Sequence, residues 1–334
     1  MFNALRKPFK RLGLAALPLL ALGAQMPAAQ AQGWQPTRPV EFIAPANPGG
    51  GWDTLVRTSG LVIQSEKLAP QNFAAINIPG GGGAVAWAQI ARDAKNDHKL
   101  FATSPPIILV PLAGTSRFSH KDFTPVARLN TDYSIVLVRD DSPYETINDL
   151  FEAMKANPSL SVGGGSAAGS MDHIAIAGAA AEAGLEARGV NYIAFSGGGE
   201  AMISLMGNHV EAVITGAGEA AGQLEGGNLR ALAVSSPERL GGALAGVPTF
   251  KEQGLDYTFD IWRGVMGPKN MSPEARAYYE DLFARMVKTD AWKQASEQLG
   301  WIDAFQTGEE FGVFLDGQLD QFSTILGDLG LLRR

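Results

Sequence analysis

Glycine runs recur in this 334-residue chain at Gly49-Gly50-Gly51, Gly80-Gly81-Gly82-Gly83, Gly163-Gly164-Gly165 and Gly197-Gly198-Gly199, with Gly216 and Gly218 as a looser fifth group. The chemistry that glycine serves is close approach: without a Cβ the backbone can touch a ligand and adopt φ > 0. Where a helix follows, its first amides are unpaired and carry partial positive charge, which suits an anion. Several such loops converging would hold an anion with almost no cationic side chains. Acidic residues follow the runs at Asp53, Asp172, Glu200 and Glu219. Carboxylates in a first helical turn complement the helix dipole, worth ~0.3–1 kcal/mol each, so they read as caps rather than as ligand contacts. Arg57 and Arg263 are the cations nearest the loops; either could pair bidentately with a ligand carboxylate, against a purely structural pairing.

Catalytic uses of the same residues fit poorly. From Gly163 the spacing gives Gly163, Gly165 and then Ala168, so no G-x-G-x-x-G fingerprint forms. There is no P-loop and no H-E-x-x-H, and Gly164-Gly165-Ser166-Ala167-Ala168 lacks the last glycine of a nucleophile elbow. His98, His120, His173 and His209 are isolated, and His173 reads as a packed or capping residue. No metal or cofactor is called for, and the chain does not read as an enzyme. An extracytoplasmic hydrolase remains the alternative, as does a ligand sensor feeding a two-component system.

The elements that must position these loops alternate in type. Strands are expected at 40–44, 73–78, 100–103, 135–138, 161–162, 190–193, 212–215 and 230–234. Helices are expected at 54–66, with Leu55, Val56, Leu61 and Val62 inward, and at 84–94, 147–156, 171–183, 201–206 and 220–224. The unbroken apolar run Ile135-Val136-Leu137-Val138 suits a buried parallel strand. The tail is expected to be helical at 273–287, 291–299 and 309–326. Such β-α alternation calls for parallel sheets with helices on both faces, an α/β class. Each glycine run then falls at the carboxyl edge of a sheet, where open α/β folds bind ligands. Length favours two domains. With no linker between them, the crossings are placed near 133–138 and 259–266, so that one lobe is 34–138 plus 259–334 and the other is 139–258.

Composition narrows the class further. The chain is 46% hydrophobic and 18% charged, unlike a disordered one. It has no cysteine, which excludes disulfide frameworks and Cys-ligated metal sites. A net charge of −7 without a basic patch excludes a nucleic-acid binder. Arg6, Lys7, Lys10 and Arg11 precede an apolar run at 12–26, and Ala29 and Ala31 form an A-x-A pattern. That is the order of a secretory signal, with cleavage expected after Ala31. Its removal takes four basic residues and no acidic one, so the charge moves from −7 to −11. The mature chain reads as a soluble, unanchored, periplasmic monomer.

The ordered set Arg38-Pro39-Val40, Ile43-Ala44-Pro45-Ala46-Asn47-Pro48-Gly49-Gly50-Gly51-Trp52-Asp53, Asn77-Ile78-Pro79-Gly80, Gly163-Gly164-Gly165-Ser166, Tyr192-Ile193-Ala194-Phe195-Ser196-Gly197-Gly198-Gly199-Glu200-Ala201 and Val247-Pro248-Thr249-Phe250-Lys251-Glu252-Gln253-Gly254 resembles the substrate-binding receptors of tripartite tricarboxylate transporters, the Bug family. The P-G-G-G-W-D and S-G-G-G-E forms look most like its citrate and tricarballylate branch. The resemblance implies a two-lobed periplasmic binding protein, type II-like, that closes on a small carboxylate and works with two membrane subunits. It implies that the ligand is held mainly by backbone amides and bound waters. Carried over by position, the contacts would come from Ala46, Asn47, Gly49, Gly50, Gly51, Trp52 and Asp53, from Ser104, from Gly164, Gly165, Ser166, Gly169 and Ser170, and from Ser196, Gly197, Gly198, Thr215 and Gly216. Valine at Gly50 or Gly164 is expected to weaken binding with little effect on stability. The chain departs from the family at Gly51-Trp52, where proline or alanine is common, and at Gly80–Ala86, where G-A-x-G-x-x-G is usual.

Overall fold

The computed structural model describes residues 1, 33–328, 330 and 332, and the fold is that of the unit Trp34–Arg334. The expected secretory signal lies outside the described residues. Three β-α units open the fold: β1 (Val40–Ala44), α1 (Gly51–Ser65), β2 (Phe73–Asn77), α2 (Ala84–Ile90), β3 (Lys99–Thr103) and α3 (Pro106–Leu112). Parallel β2 and β3 flank β1. Leu55, Val56, Val62 and Ile63 of α1 are buried, whereas Leu61 is 66% exposed. Three of the four residues expected inward are therefore buried, and Ile63 takes the place of Leu61.

A 16-residue strand, β4 (Thr124–Arg139), comes next. Then follow α4 (Ile147–Ala156), β5 (Ser161–Gly164), α5 (Met171–Glu182), β6 (Asn191–Ala194), α6 (Gly198–Met206), β7 (Ala212–Gly216), α7 (Ala217–Glu225) and β8 (Leu229–Val234). β5 is flanked by parallel β6 and β7. The chain returns through β9 (Asp260–Gly267) and ends with α8 (Pro273–Met286), α9 (Asp290–Leu299), β10 (Ile302–Thr307) and α10 (Gly308–Asp328). Among the described residues no helix is long and apolar enough to cross a membrane.

β4 joins the two groups of parallel strands. Its residues up to Tyr133 pair with β9, and those up to Thr131 also pair with β10, while Ser134 onward pairs with β7 and β8. Every one of these pairings is antiparallel, as is β9 with β3. The sheet is therefore mixed, and the expectation of mainly parallel sheets with a parallel strand at Ile135–Val138 is corrected. The four residues are fully buried as expected, but an unbroken apolar run reports burial of both strand faces and says nothing of neighbour direction. Val136 and Val138 join the large core, while Ile135 and Leu137 face a smaller one with Val213 of β7, Ala201 and Leu205 of α6, and Ala217 and Ala220 of α7. The period of two along a strand makes this division.

Candidate functional site

The segments that follow the carboxyl ends of β1, β2, β3, β5 and β6 line one cavity of about 40 Å³. From the first strand group come Pro45, Ala46, Gly51 and Trp52, the glycines Gly80 and Gly82, and Ser104 and Pro106. The second group supplies Gly165, Ser166, Met171 and Asp172, then Ser196, Gly197 and Gly198, with Glu219 from α7 and Arg263 from β9. The volume is room for only a few waters. Among the described residues Arg263 is the one Lys or Arg in the lining.

The first turns of α1, α5, α6 and α7 all reach this lining, and their N-cap residues Gly50, Ser170, Gly197 and Gly216 make no side-chain cap. Ser170 Oγ is buried and unpartnered. On α5 the Asp172 amide donates to Ser166 Oγ at 2.8 Å. Trp52 Nε1 donates to Ser104 Oγ at 2.9 Å, which fixes the indole in the wall.

Glycine is required where charged side chains press on the backbone. An added Cβ at Gly51 would fall inside the Arg263 guanidinium, and one at Gly198 would meet Thr215 Oγ1 and Glu219 Oε2. Arg263 is 1% exposed and donates from Nη2 to Asp132 Oδ2 at 2.6 Å, while Glu219 Oε1 stands 3.6 Å from the same nitrogen. Asp132, on β4, is fully buried and also accepts from the Tyr133 amide at 2.8 Å. A buried pair of this kind has its charge spent internally.

The loop before α1 is held from below. Asp53 accepts from the Gly49 amide at 2.9 Å, from Arg57 Nε at 2.8 Å and from Asn77 Nδ2 at 2.8 Å. Burial pushes the Asp53 carboxyl up, but these bonds outweigh it and hold it below the usual range. Arg57 is therefore a brace for Asp53 and not part of the lining. The same loop touches the one before α6: the Asn47 amide donates to the Ser196 carbonyl at 2.9 Å, and Asn47 Nδ2 donates to Glu200 Oε2 at 2.9 Å.

The structure thus brings Ala46, Gly51, Trp52, Ser104, Gly165, Ser166, Ser196, Gly197 and Gly198 to the cavity wall. Asn47, Gly49, Gly50 and Asp53 shape or clasp the loop instead of lining it. Gly164 lies in β5, where an added Cβ would meet the Tyr192 ring and Asp172 Cβ. The Gly169 amide donates to His173 Nδ1 at 2.9 Å, so His173 is a packed residue, as its sequence context implies. Thr215 and Gly216 sit behind Glu219.

Two of the four acidic residues depart from the capping role expected of them. Glu200 accepts from the Ser196 amide at 3.0 Å and Asp53 from that of Gly49, as caps do. Asp172 and Glu219 line the cavity. Burial, and next the charge of Glu219, push the Asp172 carboxyl up to about 8. Burial also raises Glu219, with Arg263 opposing. All four are carboxylates in a first helical turn, and Glu200 and Glu219 share both residue type and spacing from the N-cap; which way the helix start faces separates them.

The model of the tripartite tricarboxylate transporter family receptor matches residues 62–331. BugT of Bordetella pertussis is 25% identical over 301 residues, covering 88% of this chain and 90% of that protein. A TctC solute-binding protein from Polaromonas, solved without ligand, is 32% identical with a TM-score of 0.59, over 88% of this chain and 99% of that one. A Rhodopseudomonas palustris protein solved with adipate is 22% identical with a TM-score of 0.80, over 88% and 98%. The fold is the periplasmic-binding-protein fold of these structures, a curled mixed sheet flanked by helices.

Proposed function

This chain belongs to the tripartite tricarboxylate transporter receptor family, and we propose that it is a periplasmic receptor that captures a small di- or tricarboxylate, citrate-like in preference, without turning it over. The observation that carries this reading is the convergence on one cavity of four helix starts whose N-cap residues make no side-chain cap. A charge-assisted hydrogen bond to a carboxylate is worth ~1.5–3 kcal/mol, and a micromolar receptor needs about 8 kcal/mol net. A handful of amides therefore suffices. The R. palustris protein of the same fold was solved with adipate, a dicarboxylate, which supports the ligand class.

The cavity is too small to admit such a ligand as it stands, so capture requires the two strand groups to part and close again. In this reading 34–138 plus 259–334 and 139–258 move as two lobes, with β4 and β9 as the crossings, and contacts to both lobes drive closure. The closed receptor then hands its ligand to two membrane subunits. Calorimetry on protein unfolded and refolded to strip ligand, against citrate, tricarballylate, malate and adipate, tests the assignment. Saturable binding of at least one is expected, and no heat from any of them at any pH overturns it. Native mass spectrometry of the protein as expressed identifies what it retains.

A further inference from the structure

Asp172 and Glu219 face the cavity from two different helices, with Asp172 1% exposed and the Glu219 side chain 4% exposed. Asp172 Oδ1 and Glu219 Oε2 have no hydrogen-bond partner. An oxygen buried in this way is costly to leave unmatched. The surroundings supply only part of the match: the Ser166 hydroxyl and Gly165 amide act on the Asp172 carboxyl and the Thr215 hydroxyl and Gly216 amide on that of Glu219, and burial outweighs them in both. Tyr192 of β6 donates its hydroxyl to the Ser166 carbonyl at 2.7 Å. On the helix of Asp172 itself, His173 accepts from Gly169 and stacks on Tyr192, with ring centroids 4.7 Å apart. Arg263 of β9 is bound to Asp132 of β4, and its Nη2 faces Glu219 Oε1, while Oε2 lies against Gly198 of the cavity lining, beside Thr215 Oγ1.

A ligand carboxylate entering this space meets two carboxyl groups and one cation whose charge is already matched. Two carboxylates here would repel it at low dielectric. Two carboxylic acids would instead offer it O–H donors. We propose that Asp172 and Glu219 are a donor subsite, binding one ligand carboxylate as neutral carboxylic acids, so that ligand capture takes up protons from solvent. This rests on the carboxylate reading above. No covalent bond forms or breaks apart from those to the exchanged protons: each acid holds its proton and the ligand carboxylate accepts the hydrogen bond. The burial that raises both groups favours the neutral form. The subsite also selects: it serves an anionic carboxylate and leaves an ammonium without a charged partner.

The test is calorimetry on ligand-stripped full chain with malate, citrate and tricarballylate, between about pH 8 and pH 9, where these ligands are fully ionised, in buffers of differing ionisation heat. Uptake rising from about half a proton per ligand at about pH 8 toward one at about pH 9 is expected, with apparent affinity falling by about fivefold over that unit as Asp172 loses its proton in the free protein. Asp172→Asn should flatten the pH profile and lower the uptake. Glu219→Gln is the second variant should the first not fold, with circular dichroism reporting the fold of each. Carboxylate binding with no proton uptake and a flat profile overturns the proposal and leaves the receptor reading intact. Binding of an amine-bearing ligand with no carboxylate bound at any pH overturns both.

Discussion

Thr146, Ser272 and Thr289 each cap a helix, accepting from the amides of Asp149, Ala275 and Trp292 at the starts of α4, α8 and α9. At the starts of α1, α5, α6 and α7, which reach the cavity, the N-cap residue makes no such bond; on α5 the Asp172 amide donates instead to Ser166 Oγ at 2.8 Å, and on α7 the Gly218 amide donates to Asp132 Oδ1 at 3.3 Å. One chain therefore follows the capping rule away from the cavity and sets it aside at the cavity. A lost side-chain cap costs a helix about 1 kcal/mol. The cavity helices forgo that bond at their N-cap residues; α5 and α7 each recover one from a distant side chain, Ser166 and Asp132, while α1 and α6 begin on glycine caps with no side chain to occupy their first amides. The same division separates the acidic residues: Asp53 and Glu200 hold loops in place, while Asp172 and Glu219 are left facing inward.

Five substitutions press on this contrast. Arg263→Ala should have the largest effect, because it strands Asp132 as a buried carboxylate without its cation; a stability loss of ~3–5 kcal/mol in urea titration is expected, together with loss of ligand. A near-neutral result would mean that the pair does not organise the cavity floor. Gly164→Val should cost ~1–3 kcal/mol by overpacking against Tyr192 and Asp172, which corrects the expectation that this site is tolerant. Gly50→Val should instead act on ligand. Its Cβ would lie 3.3 Å from Gly197 Cα, so affinity should drop about tenfold, or ~1.4 kcal/mol, with a much smaller change in Tm. Equal affinity in the folded variant would remove the clasping role of that loop. Ser272→Ala and Thr289→Ala, at capped helices, should each lower stability by about 1 kcal/mol with calorimetric affinity unchanged; a change in affinity would dissolve the contrast between the two kinds of helix start.

Much of this was legible in the residues. The β-α order holds through β8 except that α3 (Pro106–Leu112) is not among the expected helices and β4 runs well ahead of 135–138, and the glycine runs do lie at strand ends around one cavity. Three things were not legible, each for a physical reason. Ile302–Thr307 forms β10 at the edge of the sheet with its residues exposed or half-buried, so it lacks the apolar pattern that marks a strand. The antiparallel β9 carries the same β-branched and aromatic types as a parallel strand would, and its direction is set by where the chain returns. The inward aim of Asp172 and Glu219 depends on which way the start of α5 or α7 faces after packing. A carboxylate in a first helical turn has the same local sequence whether it caps or lines a cavity.

β4 has a further consequence, for the order in which the molecule can be built. Its partner β9 pairs Ile261 with Asp132 and Met266 with both Pro125 and Phe101. During synthesis, β3 and the first part of β4 stay open-edged until residue 267 of 334 has emerged. Contacts this distant in sequence form late and slowly. The first strand group, the Arg263–Asp132 pair and the cavity floor are thus completed in one terminal step, and a nascent chain short of β9 remains unfolded there with an exposed strand edge.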